Sequence, residues 1–352
     1  MSDRALVAYV KVYATLGQSD RSNEQGGRMD FTGRPAQLIL IASVARRYYL
    51  EDKSKIEIAE ELGMSRFKVA RLLETARESG LVHIEIADPD MIDIDLSTQL
   101  QDTYRLQHAL VVDTPDDNPS TLQEQIGNAA AELVAEIVTA DDVLGLAWSR
   151  SVSAMTNALR QLPTIPVVQL TGALVQPEVA DSSVDLVRQA ARVSGGAAHF
   201  FYAPTVVHDP ATARALRKQP EVARTFGRLG SVTKAVVGIG LWAPGESTVY
   251  DVTDEKVRRE LHRRGVCGEI AGVLIDADGH AAKSDLTERM IGISAAQLHA
   301  IPEVIGLAYN IARSPAVQAA IRGGFIKSLV THSSLARVLI AQQENQSLPD
   351  PP

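Results

Sequence analysis

Apolar and polar residues along this chain follow two different patterns, which change near His108. Before that point the apolar residues of "AQLILIASVARRYYLE" and "KIEIAEELGMSRFKVARLLETA" recur every third or fourth position, which predicts amphipathic helices. Ser54 and Glu57 predict a capping box at one helix start, and Ser65 predicts the cap of the next. "LVHIEIAD" alternates apolar and polar residues, which predicts a strand of a wing.

From His108 onward, short apolar runs alternate with helical stretches such as "STLQEQIGNAAAELVAEIV" and "DEKVRRELHRR". The runs are "ALVV", "VLGLAW", "VVQLTG", "AHFFYAP", "AVVGIG", "IAGVLID", "VIGLAY" and "SLVTH". Strands that are apolar throughout and separated by helices are typical of a mainly parallel sheet with both faces covered. The predicted fold class is therefore α/β, with a small helical domain preceding a large domain built on a parallel sheet.

These patterns divide the chain into five segments. Two of them are polar ends, expected to be a disordered or variable extension at 1–34 and a flexible tail at 344–352. The other three are the helical domain, 35–90, a linker helix, 91–107, and the α/β domain, 108–343.

Length and composition fit two or three globular domains. The chain has 352 residues, 45% of them hydrophobic, and no apolar run approaches the length of a membrane span. The first residues lack a basic leader and a clear cleavage site, so no secretory signal is expected, and Met29 is an alternative start. A single cysteine, Cys267, excludes an internal disulfide framework and a multi-cysteine metal site. A cytoplasmic protein is expected.

The charge balance limits how this chain can bind nucleic acid. The net charge is −8, and residues 31–90 contain nine Lys/Arg and ten Asp/Glu. DNA-binding domains are more often basic. Any positive field must therefore be local, on one face of one helix.

The segment "IAEELGMSRFKVARLL" has the spacing of a helix-turn-helix, in which two short helices cross beside a tight turn. Ala59 provides the small residue at the crossing and Gly63 the glycine of the turn. The residues left to reach phosphates and base edges in the major groove are Ser65, Arg66, Phe67, Lys68 and Arg71. The alternative is a plain helical hairpin with a solvated basic face.

Polar residues follow several predicted strands of the large domain. In "VLGLAWSRSVSAM" a helix starts shortly after Trp148, and its free N–H groups, with Ser149, Arg150 and Ser151, suit an anion such as a sugar phosphate. Trp148 offers a flat face for a sugar ring. The alternative is an ordinary serine-capped turn between strand and helix.

Other strand ends add weaker candidates for the same site. They are Gln169 and Gly172, Glu269 as an acceptor for sugar hydroxyls, and Arg313 before a helix start that Ser314 is expected to cap. Ligands of open α/β sheets bind at the carboxyl ends of strands, but these ends converge only if the strand order allows it.

No metal or cofactor is expected. The eight histidines show no metal-ligand spacing, and neither a complete dinucleotide fingerprint nor a P-loop is present. Cys267 lies between Val266 and Gly268, which favours a packing role over a nucleophilic one.

Five segments together resemble the SorC family of bacterial sugar-responsive transcription regulators. They are "MSRFKVARLLETARESGLVHIEI", "VLGLAWSRSV", "VVQLTGAL", "VCGEIAG" and "IPEVIGLAYNIARSPAVQAAIRGGFIKSLVTHSSLARVLI", within residues 36–340. The resemblance implies a winged helix-turn-helix domain followed by a Rossmann-like, mainly parallel α/β effector domain similar to glucosamine-6-phosphate deaminase and ribose-5-phosphate isomerase. It also implies a homodimer or homotetramer, double-stranded operator DNA and a sugar, polyol or sugar-phosphate effector.

The resemblance also places family motifs on particular residues. The family's tryptophan-glycine-x-threonine loop falls on 148–151, and its glycine-glycine-x-x-lysine turn falls on 309–313, which adds Asn310 to the candidate effector-binding residues. Ser149 replaces a glycine, and Arg313 replaces a point charge by a fork-shaped cation. Tyr309 and Asn310 fill the space that the family's two glycines would leave open, so a large bisphosphate is disfavoured and a small phosphosugar or a free polyol is expected.

The expected function is a non-enzymatic transcriptional regulator of carbohydrate metabolism, whose operator binding is controlled by a small phosphosugar or polyol. The alternative is a sugar-phosphate isomerase or deaminase with an added DNA-binding domain. Such an enzyme needs a general base, for which Glu269 or Asp285 are available, although no acid/base pair has convincing spacing. A third reading is an interaction protein that uses the helix-turn-helix fold without DNA.

Overall fold

The computed structural model describes residues 9–12, 35–79, 81–85, 91–114, 118–173 and 182–347. They belong to two compact units, residues 1–89 and 90–352. Most of the expected extension at 1–34 and residues 348–352 of the expected tail lie outside the described residues.

The first unit contains three helices and a two-stranded antiparallel sheet. Its elements are β1 (Tyr9–Val12), α1 (Pro35–Tyr49), α2 (Lys55–Glu61), α3 (Arg66–Glu78) and β2 (Val82–Glu85). The predicted capping box at α2 is confirmed, with the Glu57 carboxylate accepting the Ser54 N–H at 2.8 Å. The side chains buried between its helices are Ile41, Val44, Ala45, Ile58, Val69, Leu72, Leu73 and Ala76.

The second unit is the α/β domain, and its strands follow the predicted apolar runs except at "IAGVLID". Its strands are β3 (His108–Val112), β4 (Leu144–Leu146), β5 (Val167–Gln169), β6 (Ala198–His199), β7 (Lys234–Leu241), β8 (Val266–Ile270), β9 (Val273–Asp276), β10 (Glu303–Leu307) and β11 (Ser328–His332).

Helices cover both faces of this sheet. They are α4 (Ile94–Tyr104), α5 (Pro119–Ile137), α6 (Arg150–Ala158), α7 (Ser183–Ser194), α8 (Pro210–Arg217), α9 (Pro220–Phe226), α10 (Thr248–Asp251), α11 (Glu255–Arg263), α12 (Asp285–Arg289), α13 (Ala295–Ala300), α14 (Ser314–Arg322) and α15 (Ser333–Ser347). Two short 3-10 turns lie at Leu229–Ser231 and Ile311–Arg313. None of the helices in the described part of the chain has the length and apolar character needed to cross a membrane.

Seven strands form the parallel sheet, in the order β3-β11-β10-β7-β4-β5-β6. The side chains of β7 alternate between the two faces, so that Ala235 and Val237 belong to one core and Val236 to the other. The expected mainly parallel α/β class is confirmed. A switch point lies between β4 and β7, because β4 leads to β5 on one side and β7 leads towards β10 on the other.

The run "IAGVLID" is not one strand, as its apolar character suggested. The chain reverses at Ala271 and Gly272, with φ of 49° and 84°, and β8 and β9 pair in an antiparallel hairpin at the end of β7. Positive φ at both central residues is the pattern of a type I′ hairpin turn, and here one of the two residues is an alanine. The pattern of apolar residues did not indicate this turn, because Ala271 is as apolar as its neighbours in the sequence.

Candidate functional sites

The exposed face of α3 is the first candidate site. Arg66, Phe67, Lys68 and Arg71 are all exposed, with 71% of Phe67 accessible, whereas Val69 is completely buried. The Arg66 guanidinium lies 5.4 Å from the centre of the Phe67 ring. The basic side chains of this helix start therefore point away from the unit's own core.

The turn before α3 has the predicted geometry. Gly63 has φ of 59°, a conformation that glycine adopts without strain, and the Met64 N–H donates to the Ala59 carbonyl at 2.9 Å. The Ser65 hydroxyl accepts the Lys68 N–H at 3.3 Å, which caps α3. Local hydrogen bonds thus set the angle at which α3 leaves the turn.

The second candidate site is a cleft at the switch point between β4 and β7, which is where open α/β sheets bind ligands. The empty volume of the cleft, including its opening to solvent, is about 810 Å³. Seven of the predicted effector-binding residues line it, namely Trp148, Ser149, Arg150, Ser151, Gly172, Glu269 and Arg313.

One wall of the cleft is the start of α6. The Ser149 hydroxyl accepts the Val152 N–H at 3.1 Å, so this serine caps its own helix, as the alternative reading of the turn required. Ser151 is buried, and Arg150 is exposed. The indole N–H of Trp148 is buried and has no hydrogen-bond partner among the described residues.

The lining of the cleft also contains a part-buried ion pair. The Arg313 guanidinium donates from Nε to Oε2 of Glu246 at 2.8 Å, and from a terminal nitrogen to the Ile239 carbonyl at 3.2 Å. Its planar group also lies 4.4 Å from the centre of the Tyr309 ring. Arg313 therefore enters the cleft with its charge already balanced by the protein.

The helix after Arg313 starts differently from the prediction. Ser314 is the first residue of α14 and not its cap, because the turn Ile311–Arg313 continues directly into the helix. The predicted cap is therefore wrong, although the predicted proximity of Arg313 to a helix start is confirmed.

Glu269 projects into the cleft from β8. It accepts hydrogen bonds from the Gly272 N–H and from the Ser247 hydroxyl, the latter at 3.4 Å. Burial raises the pKa of the Glu269 carboxyl, and these two hydrogen bonds and the nearby Arg313 only partly oppose the rise. Glu269 can therefore be protonated closer to neutrality than an exposed glutamate, and can then donate as well as accept.

Two predicted effector-binding residues do not line the cleft. Gln169 is fully buried, where its amide donates to the Thr171 carbonyl at 2.7 Å and accepts the Phe201 N–H at 2.9 Å. Asn310 donates to Oε1 of Glu246 at 2.8 Å and accepts the Ala312 N–H at 3.0 Å. In this arrangement both side chains hold neighbouring loops in place.

Sequence reasoning missed several residues of the cleft. Glu246, Ser247 and Asp251 line it from the loop after β7 and from α10, and Thr171 and Thr205 line it from other loops. The signal available for the first group was "PGESTVYD", a glycine followed by a serine that caps a helix directly after an apolar strand.

One group of side chains in the described residues has the proximity of a metal site. Potential ligand atoms of Asp276, Asp278 and His280 lie within 4.8 Å of one another at an exposed turn. Asp276 already accepts the N–H groups of the other two, at 3.0 and 2.8 Å, so its carboxylate stabilises the turn.

Comparison with known proteins adds a direct finding. The family model for a sugar-binding domain, Sugar-bind, matches residues 91–341. The chain belongs to this family of SorC-type regulators. The matched residues follow the unit that contains α2 and α3.

Three relatives of this chain match it over most of their own length. The chain is 30% identical over 307 residues to the uncharacterized transcriptional regulator YjhU of Escherichia coli, covering 84% of this chain and 92% of YjhU. It is 26% identical to the deoxyribonucleoside regulator of Bacillus subtilis, covering 86% and 97%. The crystal structure of the full-length sorbitol operon regulator SorC of Klebsiella pneumoniae shares the fold, with a TM-score of 0.67 at 24% identity, covering 87% and 100%.

Proposed function

We propose that this protein is a DNA-binding transcriptional regulator of carbohydrate metabolism whose operator binding is controlled by a small phosphosugar or polyol. The observation that carries the proposal is that one chain combines an outward basic helix face with a polar cleft at a sheet switch point. Membership of the SorC-type family supports the same combination.

The α3 face is proposed to lie in the major groove, with Arg66, Lys68 and Arg71 reaching phosphates and base edges. A single small unit makes few contacts, so specific binding needs at least two units on one operator. A homodimer or homotetramer provides them, and its symmetry sets the spacing of the half-sites.

The cleft is proposed to bind the effector between α6 and the loop that carries Glu246. A sugar ring can lie against Trp148, whose unpartnered indole N–H is a donor for a ligand oxygen, and Glu269 can bond to hydroxyls. An effector changes DNA affinity only if it binds the competent and incompetent states of the oligomer unequally. The cleft lies where loops from β4, β7 and β8 meet, so a ligand there contacts all three.

The acidic and basic side chains of the cleft are consistent with a protein that binds a sugar ligand without converting it. Glu269 is the candidate base that lies in the cleft, whereas Asp285 lies on α12, with 70% of its side chain exposed and an ion pair to Arg289 at 3.0 Å. The other two carboxylates of the described lining are already engaged, Glu246 by Arg313 and Asp251 by the Gly245 N–H. Incubation with a panel of aldose and ketose phosphates should give no turnover.

DNA binding with and without effector tests the proposal directly. Nuclease footprinting on the DNA upstream of its own gene should show a protected two-part site. A sugar, polyol or phosphate that raises the melting temperature in a thermal-shift screen should change that protection. No protection under any condition would contradict a DNA-binding role and favour an interaction protein.

A further inference from the structure

The cation that an anionic effector would need in this cleft is already bound within the protein. Both carboxylate oxygens of Glu246 are in use, since Oε2 accepts from Arg313 and Oε1 accepts from Asn310, each at 2.8 Å. The Arg313 side chain is only 10% exposed and that of Glu246 is 25% exposed. A phosphate that replaced Glu246 on the Nε side of Arg313 would have to break a largely desolvated ion pair, which is unfavourable.

Glu246 is held in this position by its own loop. Gly245 has φ of 73°, and its N–H donates to Asp251 at 2.9 Å. On the other side, the Ser247 hydroxyl accepts the Tyr250 N–H at 3.2 Å and caps α10. The residues before and after Glu246 are therefore both fixed by hydrogen bonds, and the pairing with Arg313 is a feature of the folded loop.

The remaining charges of the cleft also disfavour an anion. Its charged lining residues are three carboxylates, Glu246, Asp251 and Glu269, and two guanidinium groups, Arg150 and Arg313. With Arg313 paired, the cation left for a ligand is Arg150, which is exposed and screened by solvent. A phosphate dianion would gain no buried, unpaired cation among the described lining residues, whereas sugar hydroxyls can bond to the Glu269 carboxyl in either of its protonation states.

We infer that the effector of this protein is an uncharged sugar or polyol, bound through its hydroxyls to Glu269 and neighbouring polar groups, and not a phosphorylated sugar. This inference rests on the proposed function, and it narrows the effector class that the sequence left open. Trp148 provides the flat apolar face that suits the C–H groups of such a ligand. Glu246 acts as the built-in counter-ion of Arg313.

The first test needs no knowledge of the natural effector and uses inorganic phosphate as the probe. Phosphate should not raise the melting temperature of the wild-type protein above that in chloride of equal ionic strength. Glu246→Ala removes the counter-ion of Arg313 and should gain a phosphate-dependent rise in melting temperature. Glu255→Ala, which removes a glutamate with a 72% exposed side chain on α11, is the matched control and should behave as the wild type.

Glu246→Gln is a second variant that keeps the test decisive if Glu246→Ala does not fold. Glutamine keeps an acceptor for Arg313 but removes the negative charge, so it too should gain a response to phosphate, smaller than that of the alanine variant. If phosphate stabilises the wild type as much as the two Glu246 variants, the inference is overturned. If neither folded variant responds to phosphate, Glu246 is not what keeps anions out, and the inference is also overturned.

The second test compares matched pairs of free and phosphorylated ligands, namely hexitols, pentitols and aldoses against their terminal phosphates. At least one free compound should bind the full-length wild-type protein about tenfold or more tightly than its phosphate, by calorimetry. Glu269→Gln should weaken that binding. Binding of phosphates alone would overturn the inference but leave an effector-controlled regulator intact. Absence of any ligand-dependent change in melting or DNA binding would instead overturn the proposed function.

Discussion

Glu303 at the start of β10 and Lys234 at the start of β7 form a buried ion pair across the parallel sheet, with Nζ 3.2 Å from Oε2. The other carboxylate oxygen of Glu303 accepts the Ser328 hydroxyl at 2.9 Å and lies 2.7 Å from Nδ1 of His108. This cluster joins four adjacent strands at their amino ends, whereas the cleft between β4 and β7 lies at carboxyl ends of strands. Its contribution to stability can therefore be measured separately from ligand binding.

Glu303→Gln should destabilise the protein at neutral pH and not in acid. Burial alone would raise the pKa of Glu303, but hydrogen bonds from Ser328, His108 and Lys234 outweigh it and lower the pKa below its ordinary value of 4.5. A lowered pKa means that the ionised group stabilises the fold above the unfolded-state pKa, and that this stabilisation is lost as the pH falls through the folded-state value.

The expected loss at pH 7 is about 1–3 kcal/mol in the free energy of unfolding, because the variant leaves buried donors without a charged acceptor. Urea denaturation at several pH values measures it. The matched control is Glu132→Gln, at an exposed position of α5, which should change little at any pH. An equal loss for the Glu303 variant at pH 7 and below pH 4 would show that packing, and not charge, stabilises the cluster.

The double variant Arg66→Ala, Arg71→Ala should lose most of its operator affinity while remaining folded. Both side chains are exposed, so their removal costs little stability. Each contact to a base edge is worth about 1–3 kcal/mol, and each lost phosphate contact lowers the slope of log affinity against log salt by about one. Fluorescence anisotropy over a salt series measures both quantities.

Arg46→Ala, at an exposed position in the last turn of α1, is the control for general loss of positive charge. For this variant, the slope of log affinity against log salt concentration should stay closer to that of the wild type. If the double variant binds its operator with unchanged affinity and slope, α3 does not contact DNA.

Gly63→Ala should destabilise the first unit although there is space for the added methyl group. A Cβ at this position meets no atom within 4 Å, so the cost arises from the backbone, whose φ is 59°. Alanine in this left-handed conformation costs about 1–2 kcal/mol. Gly230→Ala is a matched control, because a Cβ there also meets nothing within 4 Å and its φ is not positive.

Thermal unfolding followed by circular dichroism should show a lower melting temperature for Gly63→Ala than for Gly230→Ala, together with weaker DNA binding. Equal melting temperatures would indicate that the turn relaxes to another conformation without cost.

The helix-turn-helix could be predicted in detail because its determinants are local. Ala59, Gly63 and Ser65 lie within seven consecutive positions, and the hydrogen bonds they make connect residues no more than five apart. The strands of the parallel sheet were predictable for a related reason. A strand buried on both faces is apolar throughout, whatever its neighbours in the sheet.

The cleft could be predicted only in part, because its decisive contacts join distant loops. Glu246 and Arg313 are 67 positions apart and meet only through the strand order around β7. The local sequence around an arginine does not show whether its guanidinium is available to bind an anionic ligand or is already paired with a carboxylate of the protein. The β8–β9 hairpin was missed because Ala271, an apolar residue, occupies a turn position that usually shows a polar residue or glycine.

The thiol of Cys267 should react slowly with thiol reagents in the folded protein. Burial raises its pKa to about 11, with a smaller contribution from Asp276. At pH 8 the thiolate fraction is then roughly two hundredfold lower than in the unfolded chain, where the pKa is about 8.5. Labelling with a disulfide reagent, in buffer and in guanidinium, measures the ratio. Equally fast labelling in both would contradict a packing role for this cysteine.

Phe67 should contribute sequence specificity to DNA binding rather than general affinity. It is 71% exposed on the first turn of α3, beside the Arg66 guanidinium, and its ring makes no contribution to the buried core of the first unit. In the major groove, an apolar side chain of this kind recognises the C5-methyl group of thymine. Burying one methyl group is worth roughly 0.8 kcal/mol.

Replacing thymine by uracil in the operator removes these methyl groups without changing the hydrogen-bonding edges. Uracil at the contacted position should weaken DNA binding by the wild-type protein by roughly 0.8 kcal/mol, the value of one buried methyl group. It should not weaken DNA binding by Phe67→Ala, so the effects of the base change and of the protein substitution are not additive. Phe67→Leu keeps an apolar contact and should remain partly sensitive to the methyl group. If uracil weakens the wild type and Phe67→Ala equally at every position, Phe67 does not read thymine, because only a direct contact couples the ring to the methyl group.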